Sequence, residues 1–171
     1  MTRRSRHIFS FPNPVDELAA RTVAGGVVLM VLLAFALGSP WVLVPIVYGF
    51  WARVAAGPTL SPLGQLATRV VVPALPLQPR LTPGPPKRFA QAMGMVLSTA
   101  AMLVWVTAGW GAARWVLLPL GVAASAEAGF GFCLGCRVFG LLIRAGVVPA
   151  AVCEDCGDLG RRHPELAHRA A

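Results

Sequence analysis

The chain has 171 residues, is 56% hydrophobic and only 13% charged, and carries a formal net charge of +8. Soluble domains hold roughly 25% charged residues, so a water-facing sphere is excluded and the lipid bilayer is the expected partner. The positive charges lie between and beside apolar runs and form no RNA- or DNA-binding motif with interleaved aromatics, so membrane orientation explains them better than nucleic acid does.

Residues 1–17 read as a polar cytoplasmic head, with Arg3, Arg4 and Arg6 ahead of Pro12-Asn13-Pro14. Leu18–Leu37 is the first span, long enough for ~30 Å of hydrocarbon. Arg21 lies one turn inside it, within snorkelling reach of the interface. Gly38-Ser39-Pro40 turns the chain, and Trp41–Ala56 forms a shorter second span with Arg53 near its end.

Ser61–Leu75 reads as a short interfacial helix. Ser61 is the expected N-cap and Pro62 the first helical residue. Leu63, Leu66, Ala67, Val70 and Val71 give it one apolar face. Pro79–Arg88 follows as a stiff, basic, extended linker. Phe89–Gly109 is the third span. It carries Ala90, Gly94 and Ser98 at every fourth position, where small residues admit a neighbouring helix. The fourth span runs from Arg114 to about Cys136 with a similar stripe of Gly121, Ser125, Gly129 and Cys133.

The predicted fold class is therefore all-α: a polytopic membrane protein with four transmembrane helices and one interfacial amphipathic helix. It divides into the head at 1–17, a membrane domain at 18–136 and a cysteine-containing tail at 137–171. The turns after spans one and three hold only Arg114, and every other loop or tail is arginine- or lysine-bearing. That asymmetry predicts both termini in the cytoplasm, and so all four cysteines on the reducing side.

The four cysteines read C-x2-C-x16-C-x2-C: Cys133, Cys136, Cys153 and Cys156. In a reducing compartment the spacing fits either thiol chemistry or a four-cysteine zinc site. A reactive Cys133–Cys136 pair needs a helix N-terminus or a nearby cation. A chain break at Gly131 or Gly135 would supply the first and Arg137 the second. Either joint role requires the two pairs to meet in space. Glu127 is the one acid inside a span, so a buried partner is expected in Arg21 or Arg53. On a continuous helix Glu127 would face about 120° away from Cys133, which disfavours contact.

Four stretches carry a resemblance: Asn13-Pro14-Val15-Asp16-Glu17, Gly57-Pro58-Thr59-Leu60-Ser61-Pro62, Pro86-Lys87-Arg88-Phe89-Ala90-Gln91 and Gly131-Phe132-Cys133-Leu134-Gly135-Cys136. In them the chain resembles a bacterial family of small integral membrane proteins of unassigned function. The resemblance implies placement in the bacterial inner membrane and partners among thioredoxin-like or sulfurtransferase proteins, and it assigns no catalytic residue.

Three functions compete. The first is thiol–disulfide or sulfur transfer through Cys133 and Cys136, with no cofactor of its own. The second is a non-enzymatic scaffold with structural zinc on Cys133, Cys136, Cys153 and Cys156. The third is a small transporter, working as a homo-oligomer, with Glu127, Arg21 and Arg53 along a polar path.

Overall fold

The computed structural model describes residues 11–75, 80–149 and 152. These are mostly helical. A two-stranded antiparallel ribbon pairs β1 (Val15–Asp16) with β2 (Leu81–Thr82), setting Val15 opposite Thr82 and Asp16 opposite Leu81.

Helix α1 spans Glu17–Leu37. It starts there because Asp16 is extended and its carboxylate accepts the Leu18 N–H at 2.8 Å. It stops at Gly38, whose φ of 58° lets the next two amides turn back onto Phe35 and Ala34. A 3-10 turn at Pro40–Val42 leads into α2, Leu43–Ala56. Ser61 then caps α3 (Pro62–Leu66), its hydroxyl accepting the Gly64 N–H at 3.2 Å, with Pro62 in the first turn. The helix continues as a π turn, Ala67–Val71, and ends in α4, Val72–Ala74.

The predicted apolar face of this segment packs only in part. Ala67 is buried and Leu63 presses on α1, whereas Leu66 and Val70 point outward. The π turn changes the period, so that Val72 beyond it joins Leu63 and Ala67 against Ala19 and Val23 of α1 in place of the predicted Val70.

Helix α5 spans Gly84–Ala108, α6 Trp110–Phe130 and α7 Leu134–Arg144. Two expectations are corrected here. The basic linker ends earlier than predicted, because Pro85 and Pro86 lie in the first turn of α5, where no backbone donor is needed. The fourth apolar run does not continue to Cys136. It stops at Phe130, and α7 leaves at 97° to α6. The head also does more than trail: the Asn13 carboxamide accepts the Gly84 N–H at 2.8 Å, and Pro12 packs over Gly57.

The four long helices sit in the spatial order α1–α6–α5–α2, and α3 with its π turn bridges the outer pair. Leu43, Ile46, Phe50, Val27, Val31 and Leu117 form the centre of the core. The expected small-residue stripe on α5 is used in full. Gly94 admits the Phe50 ring, Ser98 is fully buried, and Ala90 meets Gly135 of α7. The stripe on α6 is used only at Gly121, against Val31; Ser125 and Gly129 face outward.

Three helical segments are long and apolar enough to cross a membrane, and a fourth is counted if the bent α6–α7 pair is taken as one. Leu29, Leu32, Val96, Leu103, Val106 and Val122 all point outward from the bundle. A surface of that kind suits lipid and not water. At one end Trp41 meets Trp105 edge-on at 5.3 Å and Phe35 meets Trp110 at 6.0 Å. The opposite end holds the ribbon, the α6–α7 break and the polar side chains described next.

Candidate functional site

The α6–α7 break creates the site. Gly131 adopts φ 67°, a left-handed conformation that a Cβ would strain, and its N–H returns to the Glu127 carbonyl at 3.0 Å. A Cβ there would also lie 3.0 Å from the Glu17 carboxylate. Arg21 completes the cap, donating through Nη2 to the Gly129 carbonyl at 2.8 Å and through Nε to Ala128 at 3.2 Å. A cation at the C-terminal carbonyls complements the α6 dipole. Arg21 is therefore a clamp on the end of α6, and the predicted pairing with Glu127 is corrected.

Past the break, Cys133 is extended and serves as the N-cap of α7. Its sulfur accepts the Cys136 N–H at 3.3 Å, and the two Sγ atoms stand 2.6 Å apart as free thiols. Cys133 is 7% exposed and Cys136 partly exposed. Gly135 is the residue that makes this docking fit, because a Cβ there would come within 2.5 Å of Ala90 on α5. One turn further on, Phe139 stacks obliquely on Phe89 at 5.5 Å.

The charge beside the cysteines comes from α5. Lys87 is 6% exposed, and its Nζ contacts the Glu127 carboxylate at 2.6 Å. The direct ion pair of Glu127 is thus with Lys87, while Arg53, one of the two partners expected, interacts with it electrostatically across the shared cavity. Arg137, the cation expected for the thiols, lies over the Phe132 ring at 5.3 Å instead. Sequence reasoning missed Lys87 because it sits in a proline-rich, basic stretch that reads as linker. Two prolines, followed after Lys87 and Arg88 by a long uncharged run from Phe89, were the available signal of a helix start there.

Arg53 is 4% exposed and is held by neutral partners: Gln91 Oε1 at 2.7 Å, Ser61 Oγ at 3.2 Å and the Phe50 ring at 4.4 Å. Arg53, Gln91, Glu127 and Cys133 line one cavity of about 130 Å3 at this end of the bundle. Two buried cations, Arg53 and Lys87, face one carboxylate, Glu127. A Cys133 thiolate would complete the neutralisation of the buried group.

The contact with Cys136 is the largest influence on Cys133 and holds its thiol below the ordinary value. Burial and Glu127 oppose this, while Lys87 and the Cys136 amide reinforce it. The same contact, with burial, pushes Cys136 well above the ordinary thiol range. The pair is thus polarised, with thiolate favoured at Cys133 and thiol at Cys136. The helix is not continuous, and the break swings Cys133 back over the cavity that Glu127 also lines, with no hydrogen bond between the two among the described residues. Cys153 and Cys156 lie outside the described residues.

A family model described as a domain of unknown function, DUF4395, matches residues 15–144. The chain belongs to the DUF4395 family. The matched region runs from β1 to the last residue of α7, so it takes in every element that builds the site of this DUF4395 domain. No curated protein and no solved structure matches the chain.

Proposed function

We propose that this DUF4395 protein is a thiol–disulfide relay in the bacterial inner membrane. In this reading α1, α2, α5 and α6 cross the bilayer, α7 lies along its cytoplasmic face, and both termini are cytoplasmic. Cys133 and Cys136 cycle between dithiol and disulfide. The observation that carries the reading is Cys133 as N-cap of α7, with its sulfur against Cys136 and the buried Lys87 beside it. Helix N-termini and neighbouring cations are what stabilise a thiolate.

The asymmetry of the pair sets the direction of exchange. A cytoplasmic dithiol protein, thioredoxin-like in chemistry, presents a thiolate that attacks Cys136, the partly exposed sulfur. The disulfide bond breaks and Cys133 departs as its stabilised thiolate, the better leaving group. The partner's second thiol then attacks the mixed disulfide and frees Cys136, and a proton restores its thiol. Two electrons have passed from the partner dithiol to the pair.

The test is trapping. Cys133→Ser leaves Cys136 alone, and once Cys136 carries thionitrobenzoate the thiolate of a dithiol partner lacking its resolving cysteine should displace that group and leave a stable mixed disulfide. Cys136→Ser should form little or none. A pair that stays unreactive to dithiols in both directions, with one zinc per chain in the purified protein, would sink the relay and favour the metal scaffold.

A further inference from the structure

The relay needs an oxidant, and the geometry restricts its size. Cys133 lines the cavity and Cys136 does not. With Cys133 buried, no protein disulfide can approach its sulfur, whereas a molecule of a few heavy atoms fits a space of about 130 Å3. The lining is mainly apolar, from Val27, Phe50 and Leu120 among others, so the guest is neutral.

The polar groups in the same lining mark where negative charge can develop. Leu134 and Gly135 belong to the first turn of α7, whose N–H groups have no intrahelical acceptor, and both line the cavity. Arg53 lines it too. Its Nε donates to Gln91 and its Nη1 to Ser61, which hold the guanidinium in place at the cavity wall. A buried guanidinium and the first turn of a helix, lining the same cavity as the sulfur, form an electrostatic trap for a departing oxyanion.

We propose that the DUF4395 site reduces a small neutral hydroperoxide at Cys133. The substrate class deepens the relay reading and rests on it. The Cys133 thiolate attacks the nearer peroxide oxygen and the O–O bond breaks. Hydroxide or alkoxide leaves toward Arg53 and the α7 amides and takes up a proton. Cys133 is oxidised by two electrons to sulfenic acid. The Cys136 thiol, already in contact, attacks the sulfenic sulfur; water leaves and the Cys133–Cys136 disulfide forms. The dithiol partner then reduces that disulfide through Cys136. The sum is one hydroperoxide and one dithiol giving an alcohol or water, a second water and one disulfide.

The experiment uses the reduced full chain in nanodiscs, challenged separately with hydrogen peroxide and tert-butyl hydroperoxide. Disulfide formation is followed in the native chain, and dimedone capture of the sulfenate in Cys136→Ser. Oxidation by either peroxide much faster than that of free cysteine, with the adduct on Cys133, is the expected result. Arg53→Gln should slow it by on the order of 100-fold. Ala123→Leu narrows the cavity from α6 without touching Arg53 or either sulfur, and keeps the test open if Arg53→Gln does not fold. It should slow tert-butyl hydroperoxide more than hydrogen peroxide. Reaction with both peroxides supports an organic source, and reaction with hydrogen peroxide alone supports the aqueous one. Oxidation of Cys133 by neither peroxide faster than free cysteine overturns the proposal. Dithiol exchange at Cys136 is read separately, so that result leaves the relay standing.

Discussion

At the scale of single residues, the site is a question of which charges face Cys133. They come from four elements: Lys87 on α5, Glu127 on α6, Arg53 across the cavity on α2, and Cys136 on α7 itself. The Cys136 hydrogen bond lowers the Cys133 thiol most, Lys87 adds to it, and Glu127 opposes it. An acid with a depressed folded pKa gains its stabilising contribution as pH rises from that value toward the ordinary thiol pKa, ~8.5, and loses it on acidification. Titrating thiolate absorbance in the reduced protein should therefore show one thiolate below the ordinary thiol range. Lys87→Met should move that step to higher pH and Glu127→Gln to lower pH. Steps unmoved by both variants would remove the electrostatic account of Cys133.

The same scale shows what the sequence made legible. Ser61, Pro62, Gly38 and the glycine beside the cysteines could be read from local rules, since caps and breaks depend on neighbours in the chain. The partner of Glu127 could not, because pairing across helices depends on spatial order. Arg21, Arg53 and Lys87 are all basic residues near the same end, and only packing selects Lys87 for the carboxylate and Arg21 for the α6 carbonyls.

At the scale of elements, α7 is the piece that turns a packed bundle into a site. From sequence, Val138–Ala145 reads as a short interfacial helix, but the fourth span runs on to about Cys136, because Phe130, Phe132 and Leu134 keep the stretch apolar across the break. What separates α6 from α7 is a single positive φ at Gly131, and what seats α7 is the absence of a side chain at Gly135. Gly135→Ala places a methyl group against the Ala90 backbone, so α7 must lift or α5 must shift. Overpacking of this kind costs roughly 1–3 kcal/mol. The expected outcome is a modest fall in thermal stability together with greatly increased alkylation of Cys133, whose cover is lost. Gly140→Ala, on the same helix with open space around it, should change neither. Equal behaviour of the two variants would show that the close approach at Gly135 is not what buries the thiol.

At the scale of the whole molecule, the two ends of the bundle are chemically unlike. One carries the Trp41–Trp105 and Phe35–Trp110 contacts and a lone Arg114. The other carries Arg69, Arg80, Arg88, Arg137 and Arg144 with the thiols. The proposed orientation, with the second end toward the cytoplasm, rests on the positive-inside rule. Reporter fusions at Ser39 and Gly111 should read as periplasmic and a fusion after Ala171 as cytoplasmic. A periplasmic reading at Ala171 would place the tail in an oxidising compartment and remove the cytoplasmic dithiol from the scheme.

The spatial order α1–α6–α5–α2 has a consequence for biosynthesis. Helices α1 and α2 leave the ribosome first and as neighbours, yet they barely touch in the finished bundle, and each must wait for a partner made later. The first hairpin enters the bilayer with its inner faces open, and the second inserts between its arms like a wedge. Lys87 arrives with the third long helix and Glu127 with the fourth, so the buried cation is unpaired until synthesis is nearly complete. Arg53 has its Ser61 partner early and gains Gln91 only with the third long helix. Cys133 and Cys136 follow later still, together with Leu134 and Gly135, which close the cavity wall. A ribosome stalled before Cys133 would thus release a lipid-embedded shell with no thiol chemistry in it.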